Sequence, residues 1–128
     1  SGKAEDYYNN GIKGSMAYWN VADADVETYL ANPTVAYATA KGTYKEKIGT
    51  QKWMALYNRG WEAWVEWRRL DFPKLLPPTG GNAPAGLAIP VRLIYPINEQ
   101  GLNGVNLQSA ASAIGGDLAS TKLWWDKN

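Results

Sequence analysis

Apolar positions in the first half of the chain recur at helical spacing. Tyr8, Ile12, Met16 and Trp19 fall at i, i+4, i+8 and i+11, a single stripe that predicts a helix over Ala4–Asn20. Gly11 and Gly14 lie inside it, each costing about 1 kcal/mol relative to Ala. Such a helix needs tertiary support or a closely packed neighbour. A second, short helix is predicted over Asp23–Ala31, with Val26 and Leu30 on one face, Asp23 or Asp25 as its cap and Asn32-Pro33 as its stop. Val35-Ala36-Tyr37-Ala38 reads as extended chain or loop. Thr43-Tyr44-Lys45-Glu46 matches a capping box, with Thr43 at the N-cap and Glu46 three residues on. The helix it opens carries Ile48, Trp53, Leu56 and Tyr57. It ends near Asn58-Arg59-Gly60, where Gly60 suits the left-handed position past a helix end. Trp61–Leu70 follows as another helix. Trp61, Trp64, Val65 and Arg68 share its face, Trp67 widens it, and Phe72-Pro73 ends it. Two helices joined by so short a turn form an αα-hairpin, the unit of helical-repeat folds.

The pattern then changes in kind. Pro73–Pro90 holds five of the seven prolines together with Gly80, Gly81 and Gly86, and reads as a long loop. Ile89–Tyr95 reads as a short strand or extended piece. Pro96–Asn106 carries Asn- and Gly-rich turn chemistry. Leu107–Ile114 is expected to form one or two helical turns closed by Gly115-Gly116, and Leu123-Trp124-Trp125 makes an apolar end. The expected division is a helical part over residues 1–72 and a loop-rich part over 73–128.

A length of 128 residues is one domain's worth of chain, with room for a modest core. The apolar stripes exceed what such short helices can cover among themselves, so Tyr8, Trp19 or Trp53 is expected to be covered by further chain. Two zeros narrow the chemistry. Without Cys this chain offers no disulfide, thiolate nucleophile or Cys-ligated zinc, and without His it offers no Ser-His-Asp triad and no His-ligated metal. Thirteen basic against twelve acidic residues give a net charge of +1, which argues against a nucleic-acid surface built on bulk charge. No apolar run is long enough to span a bilayer as a helix. Seven Trp and eight Tyr against one Phe supply flat apolar faces that carry a polar handle, suited to cores and to ligand platforms alike.

Each candidate constellation also has an ordinary reading. Glu62 and Glu66 share a helix face, but glycosidic carboxylates flank a sugar ring from opposite sides. Ion pairing with Arg59, Arg68 or Arg69 accounts for them better. Glu99 and Asp117 lie in loops, with nothing to fix their geometry. Trp53, Trp61 and Trp64 are expected in the core because they sit at helical spacing. Trp67 is more open, and of the adjacent Trp124 and Trp125 one is expected to be partly exposed. Arg68-Arg69 could hold a phosphate or carboxylate, yet such a pair more often anchors helices and backbone carbonyls through its fork of donors. Neither Gly80-Gly81 nor Gly115-Gly116 is followed by the Lys-Ser/Thr pair of a phosphate loop.

Gln51-Lys52-Trp53-Met54-Ala55-Leu56, followed by Glu62-Ala63-Trp64-Val65-Glu66-Trp67-Arg68-Arg69 and Phe72-Pro73, resembles the SusD/RagB family of nutrient-binding outer-membrane lipoproteins of Bacteroidetes. The resemblance continues through Ile89-Pro90-Val91-Arg92, Tyr95-Pro96, Asn98-Glu99, Asn103 and Asn106. It closes on Gly115-Gly116-Asp117 and Lys122-Leu123-Trp124-Trp125-Asp126, and Tyr7-Tyr8-Asn9-Asn10-Gly11-Ile12 with Ser15 and Trp19 is similar as well. It implies a mainly α fold, helical hairpins of a SusD-like, tetratricopeptide-containing type with a long irregular C-terminal region. Family members are several times longer, so residues 1–128 look like the C-terminal fragment of one larger SusD-like domain. Trp64, Trp67, Arg68 and Arg69 look like structural signature residues of the family. The resemblance implies no catalytic residue, metal or cofactor and, because ligand contacts vary within the family, names no ligand-binding position.

The expected function is that of a glycan- or nutrient-binding cell-surface lipoprotein that delivers ligand to a SusC-like TonB-dependent outer-membrane transporter. Its lipid anchor would lie in the missing N-terminal part of the same protein, which is itself an expected partner. A helical-repeat protein-interaction scaffold without sugar binding is the alternative, and a carboxylate glycosidase is the weakest reading.

Overall fold

The computed structural model describes residues 2–77 and 88–127. Pro78, Gly80, Gly81, Pro84 and Gly86 of the Pro/Gly-rich loop lie outside the described residues. Among the described residues the chain is helical, with α1 at Lys3–Tyr18, α2 at Asp23–Ala31, α3 at Tyr44–Ala55, α4 at Gly60–Leu70, α5 at Glu99–Leu102 and α6 at Gly104–Ala113. The mainly α class expected from the sequence is the observed one. The chain divides into two compact units, Ser1–Lys74 and Leu75–Asn128.

The first unit is organised by the α1 stripe. Tyr8 and Ile12 are buried with Val35, and Met16, Tyr29, Leu30, Tyr37 and Ile48 pack around them. Tyr8, Trp19 or Trp53 was expected to need covering by further chain; Trp19 and Trp53 are exposed, but Tyr8 is not. Instead the loop after α2 covers it: the Tyr8 hydroxyl donates 2.8 Å to the Val35 carbonyl, and its ring lies 5.3 Å from Tyr37. Burial, helped by the neighbouring Tyr29 hydroxyl and opposed by the Gln51 amide, pushes the Tyr8 phenol above its ordinary pKa. The loop itself is tied by Asn32, whose Oδ1 accepts from the Thr34 amide and hydroxyl at 3.0 and 2.9 Å. Lys47 of α3 donates 2.7 Å to the Tyr37 carbonyl.

Helix ends follow local chemistry with two corrections. Thr43 caps α3, its hydroxyl accepting from the Glu46 amide at 3.3 Å. Asp23 and Asp25 do not cap α2. Ala22, in extended conformation, holds that place, and both aspartates sit in the first turn, where they act only on the helix dipole. Gly60 is not a left-handed C-terminal residue either. The turn from Leu56 to Arg59 needs no positive φ, and Gly60 is the first residue of α4. The left-handed residue is Asp71 at φ 60°, which ends α4 before a cis Phe72–Pro73 bond.

The α3–α4 hairpin is closed at Gly49. A Cβ there would stand 2.7 Å from the Phe72 carbonyl oxygen, so only glycine lets the chain after α4 lie against α3. The Trp67 indole donates 3.0 Å to the Pro73 carbonyl and fixes the same turn.

In the second unit the described residues include no strand. Val91 and Arg92 both donate to the Ala119 carbonyl, which makes Ile89–Tyr95 an extended piece tied by single bonds. Pro96–Asn106, expected as turns, instead starts two helices. Asn103 is both the C-cap of α5 and the N-cap of α6, so Asn-rich chemistry here joins helices instead of replacing them. Gly115-Gly116 closes α6 as expected. The Gly115 amide donates to Ser112 and the Gly116 amide to Ala111, with φ of 83° and 118° respectively, which is a Schellman end.

Candidate functional site

The two faces of the α3–α4 hairpin carry the residues singled out in the sequence. Trp64 and Arg68 stack, guanidinium carbon to ring centroid, at 3.7 Å, and Arg68 is 7 % exposed. Arg69 reaches back to Glu66 at 2.6 Å, and Lys52 of α3 meets the same carboxylate oxygen at 2.8 Å. Burial alone would raise the Glu66 pKa. The hydrogen bonds and positive charge of Arg69 and Lys52 outweigh it and hold the carboxyl below the ordinary glutamate range. Glu66 is thus an anion that joins two helices. Glu62 is exposed on the same helix.

Trp53 and Trp61 are not in a core. Trp53 is 38 % and Trp61 66 % exposed, while Trp64 is half-buried against Trp61 in an edge-to-face pair at 5.6 Å. The helical period correctly places them on stripes, but no element of the first unit covers those stripes. Trp124 is exposed and Trp125 half-buried, as their adjacency requires.

The other carboxylate candidates are engaged. Asp117 receives Arg92 Nη1 at 2.6 Å and the Tyr95 amide at 3.2 Å. Arg92 is nearly buried, with its guanidinium 5.0 Å from the Tyr95 ring. The sequence showed Asp117 and Arg92 only as separate family-like positions and gave no signal of their pairing across 25 residues. Glu99 accepts from Asn103 at 3.1 Å, within α5 and its cap. Among the described residues no three acidic side chains are grouped as a metal would require.

Two concavities stand out among the described residues of the first unit. A cavity of about 800 Å³ opens between α1 and α3, walled by Tyr8, Ile12 and Met16 on one side and Tyr44, Ile48 and Gln51 on the other. Tyr29 and Tyr37 also line it. The Tyr29 hydroxyl bonds Gln51 at 3.0 Å, and the Tyr37 ring meets Lys47 and Tyr8. The result is an aromatic, largely apolar groove. A cleft of about 500 Å³ between α1 and α2 is its polar counterpart. Asp6, Asn9, Asn10 and Lys13 face Glu27 there, with Lys13 and Glu27 paired at 2.6 Å. It has the donors and acceptors a hydroxyl-rich ligand uses but no aromatic wall. The sequence reading missed both: Tyr37 and Tyr44 stand outside the helical stripes that signalled the core.

Comparison with known proteins adds a scale. A family model described as "SusD-like_2: Starch-binding associating with outer membrane" matches residues 1–96. A solved structure titled "Bacteroidetes AC2a SusD-like" superposes with a TM-score of 0.85 at 34% identity, over 100% of this chain and 26% of that one. A solved "chitin-binding protein" superposes with a TM-score of 0.77 at 33% identity, over 100% of this chain and 29% of that one. No curated protein matches the sequence. The chain therefore spans between a quarter and a third of the length of these structures.

Proposed function

This chain belongs to the SusD/RagB family, and from that premise we propose that it is part of a glycan-binding protein of the outer-membrane surface that binds its ligand without reacting with it. The observation that carries this reading is the likeness over the whole chain, above 30 % identity, to a SusD-like and to a chitin-binding structure. The site chemistry is consistent with it. Glu66 and Asp117 are tied to cations and Glu99 to an amide, which leaves none of the three poised to move a proton. Exposed indoles at Trp61 and Trp124 offer faces on which a pyranose ring can stack.

In the same reading the protein is lipid-anchored, the remainder of the SusD-like domain lies in the polypeptide that accompanies these residues, and ligand passes to a TonB-dependent transporter. Trp64, Trp67, Arg68 and Arg69 hold the hairpin together and do not touch ligand. Arg68→Ala therefore lowers the melting temperature before it lowers affinity, and unchanged melting with lost binding would mark it as a ligand contact. Titrating the intact polypeptide with starch and chitin oligosaccharides while following Trp fluorescence tests the proposal. Saturable quenching by a glycan is expected. Binding to peptides with no response to any glycan would replace this reading with a protein-interaction scaffold.

A further inference from the structure

The dipeptide Asn-Gly occurs twice in the sequence, at Asn10-Gly11 and at Asn103-Gly104. An asparagine before glycine is chemically vulnerable, because glycine has no side chain to shield its backbone nitrogen and none to limit the backbone rotation that attack by that nitrogen requires. Both asparagines are exposed in this chain, so the difference between them lies in the backbone. Asn10 and Gly11 sit inside α1, where the Gly11 amide donates to the carbonyl four residues back. Attack from there requires that turn to open first. Asn103 stands where one helix ends and the next begins, at φ −148° and ψ 33°. Gly104 is the first residue of α6, so its amide is one of those that a helix start leaves without an intrahelical partner. A Cβ on Gly104 would meet nothing within 4 Å, so no packing neighbour crowds this residue. The four residues of α5 are too few to hold the junction by helix formation alone.

Hydrogen bonds also orient the Asn103 amide. A carboxylate oxygen accepts and does not donate, so Asn103 Nδ2 faces Glu99 Oε2, at 3.1 Å. Oδ1 then faces Asn106, whose Nδ2 donates to it at 2.6 Å. A donor on that oxygen draws electron density from Cγ and stabilises the charge that develops there during attack. We propose that Asn103-Gly104 is a site of spontaneous deamidation through a succinimide, and that Asn10-Gly11 is held inert by α1. The Gly104 nitrogen bonds to Asn103 Cγ and gives up its proton, and the side-chain nitrogen leaves as ammonia. Water then opens the ring at one carbonyl or the other, giving aspartate or isoaspartate, with nothing oxidised or reduced. The new carboxylate faces Glu99 with like charge and has lost the donor that bridged them. Isoaspartate also lengthens the main chain, which displaces the Asn103 carbonyl from the Leu107 amide it now meets at 2.9 Å. Ageing at this one dipeptide therefore loosens the α5–α6 junction.

The test ages the intact polypeptide in mildly alkaline buffer, then digests it and follows the two Asn-Gly peptides by mass spectrometry and by isoaspartate-specific enzymatic methylation. Asn103 should convert about tenfold or more faster than Asn10, which reacts only after local opening of its helix. Isoaspartate should be among the products. Urea should bring the two rates together, because the dipeptides are the same. Gly104→Ala, which the open space above Gly104 accommodates, should slow Asn103 by a similar factor. Equal rates in the folded protein overturn the inference, and so does a difference that persists in urea. Aspartate without isoaspartate, or conversion unchanged in Gly104→Ala, would mark direct hydrolysis and overturn it as well. The comparison of Asn103 with Asn10 uses the unaltered protein, so it decides even where the variant fails to fold.

Discussion

The two units are held together by different chemistry. In Ser1–Lys74 the buried side chains are mostly apolar: Tyr8, Ile12, Val26, Val35, Ala63 and Leu70, with Arg68 stacked on an indole. In the described part of Leu75–Asn128 the buried residues are Arg92 and Asp126, and no hydrophobic residue joins them. Leu93, Ile97, Leu102, Val105 and Leu118 are instead more than half exposed. The first unit gains stability from area removed from water, which is tolerant of small errors in position. The second depends on a few directional contacts, the Arg92–Asp117–Tyr95 cluster above all, and on the Lys122–Asp126 pair at 3.5 Å. A fold built the second way is sensitive to single side chains.

That contrast can be broken most forcefully at Arg92. Its side chain is 7 % exposed and its partner 25 %. Arg92→Ala leaves Asp117 without its counter-charge and held only by the Tyr95 amide, at an expected cost of about 3 kcal/mol, the low end for a broken buried pair. Amide exchange over residues 88–127 should quicken accordingly. A loss below about 1 kcal/mol, the worth of an exposed pair, would mean the second unit does not lean on this contact.

In the first unit the largest single effect is expected from too much volume. Gly49→Ala gains helix propensity, but its Cβ meets the Phe72 backbone at 2.7 Å. Overpacking of this kind costs about 2 kcal/mol, and thermal unfolding should register it. Gly49→Ala that stabilises would show the hairpin turn is free to move. A smaller loss, about 1 kcal/mol, is expected for Tyr8→Phe. It removes one donor and leaves the Val35 carbonyl to find another partner.

The smallest effect is a pH dependence. Because the folded Glu66 carboxyl lies below the ordinary glutamate range, its contribution is complete above that range and is lost as the pH falls through the lower folded value. Glu66→Gln should flatten the acid limb of the stability curve in that window by a few tenths of a kcal/mol, as befits a partly exposed cluster. An unchanged acid limb would remove the carboxylate from the account of the hairpin.

The sequence was readable where structure is periodic and local. The α1 stripe, the span of α2, the Thr43 cap and the Gly115-Gly116 stop each follow from a few neighbouring residues. It was unreadable where the deciding partner is distant. Nothing around Asp117 names Arg92, and nothing around Gly49 names Phe72. Trp53 and Trp61 show the same limit from the other side: helical spacing reveals a stripe but not whether anything covers it, so two indoles expected in a core are exposed. Pro96–Asn106 misled because Asn and Gly favour turns and helix ends alike, and here Asn98 and Asn103 stand at the ends of α5 and α6. Of the candidate site, the aromatic surplus and the absence of His and Cys were legible, whereas the groove between α1 and α3 depends on tyrosines from four separate segments.

The central claim is that the protein binds a glycan and leaves it intact. The most direct test is to incubate the intact polypeptide with starch and chitin oligosaccharides, separate bound from free sugar, and analyse both by chromatography. The account predicts sugar recovered with the protein and every chain length unchanged. Release of shorter sugars would contradict it.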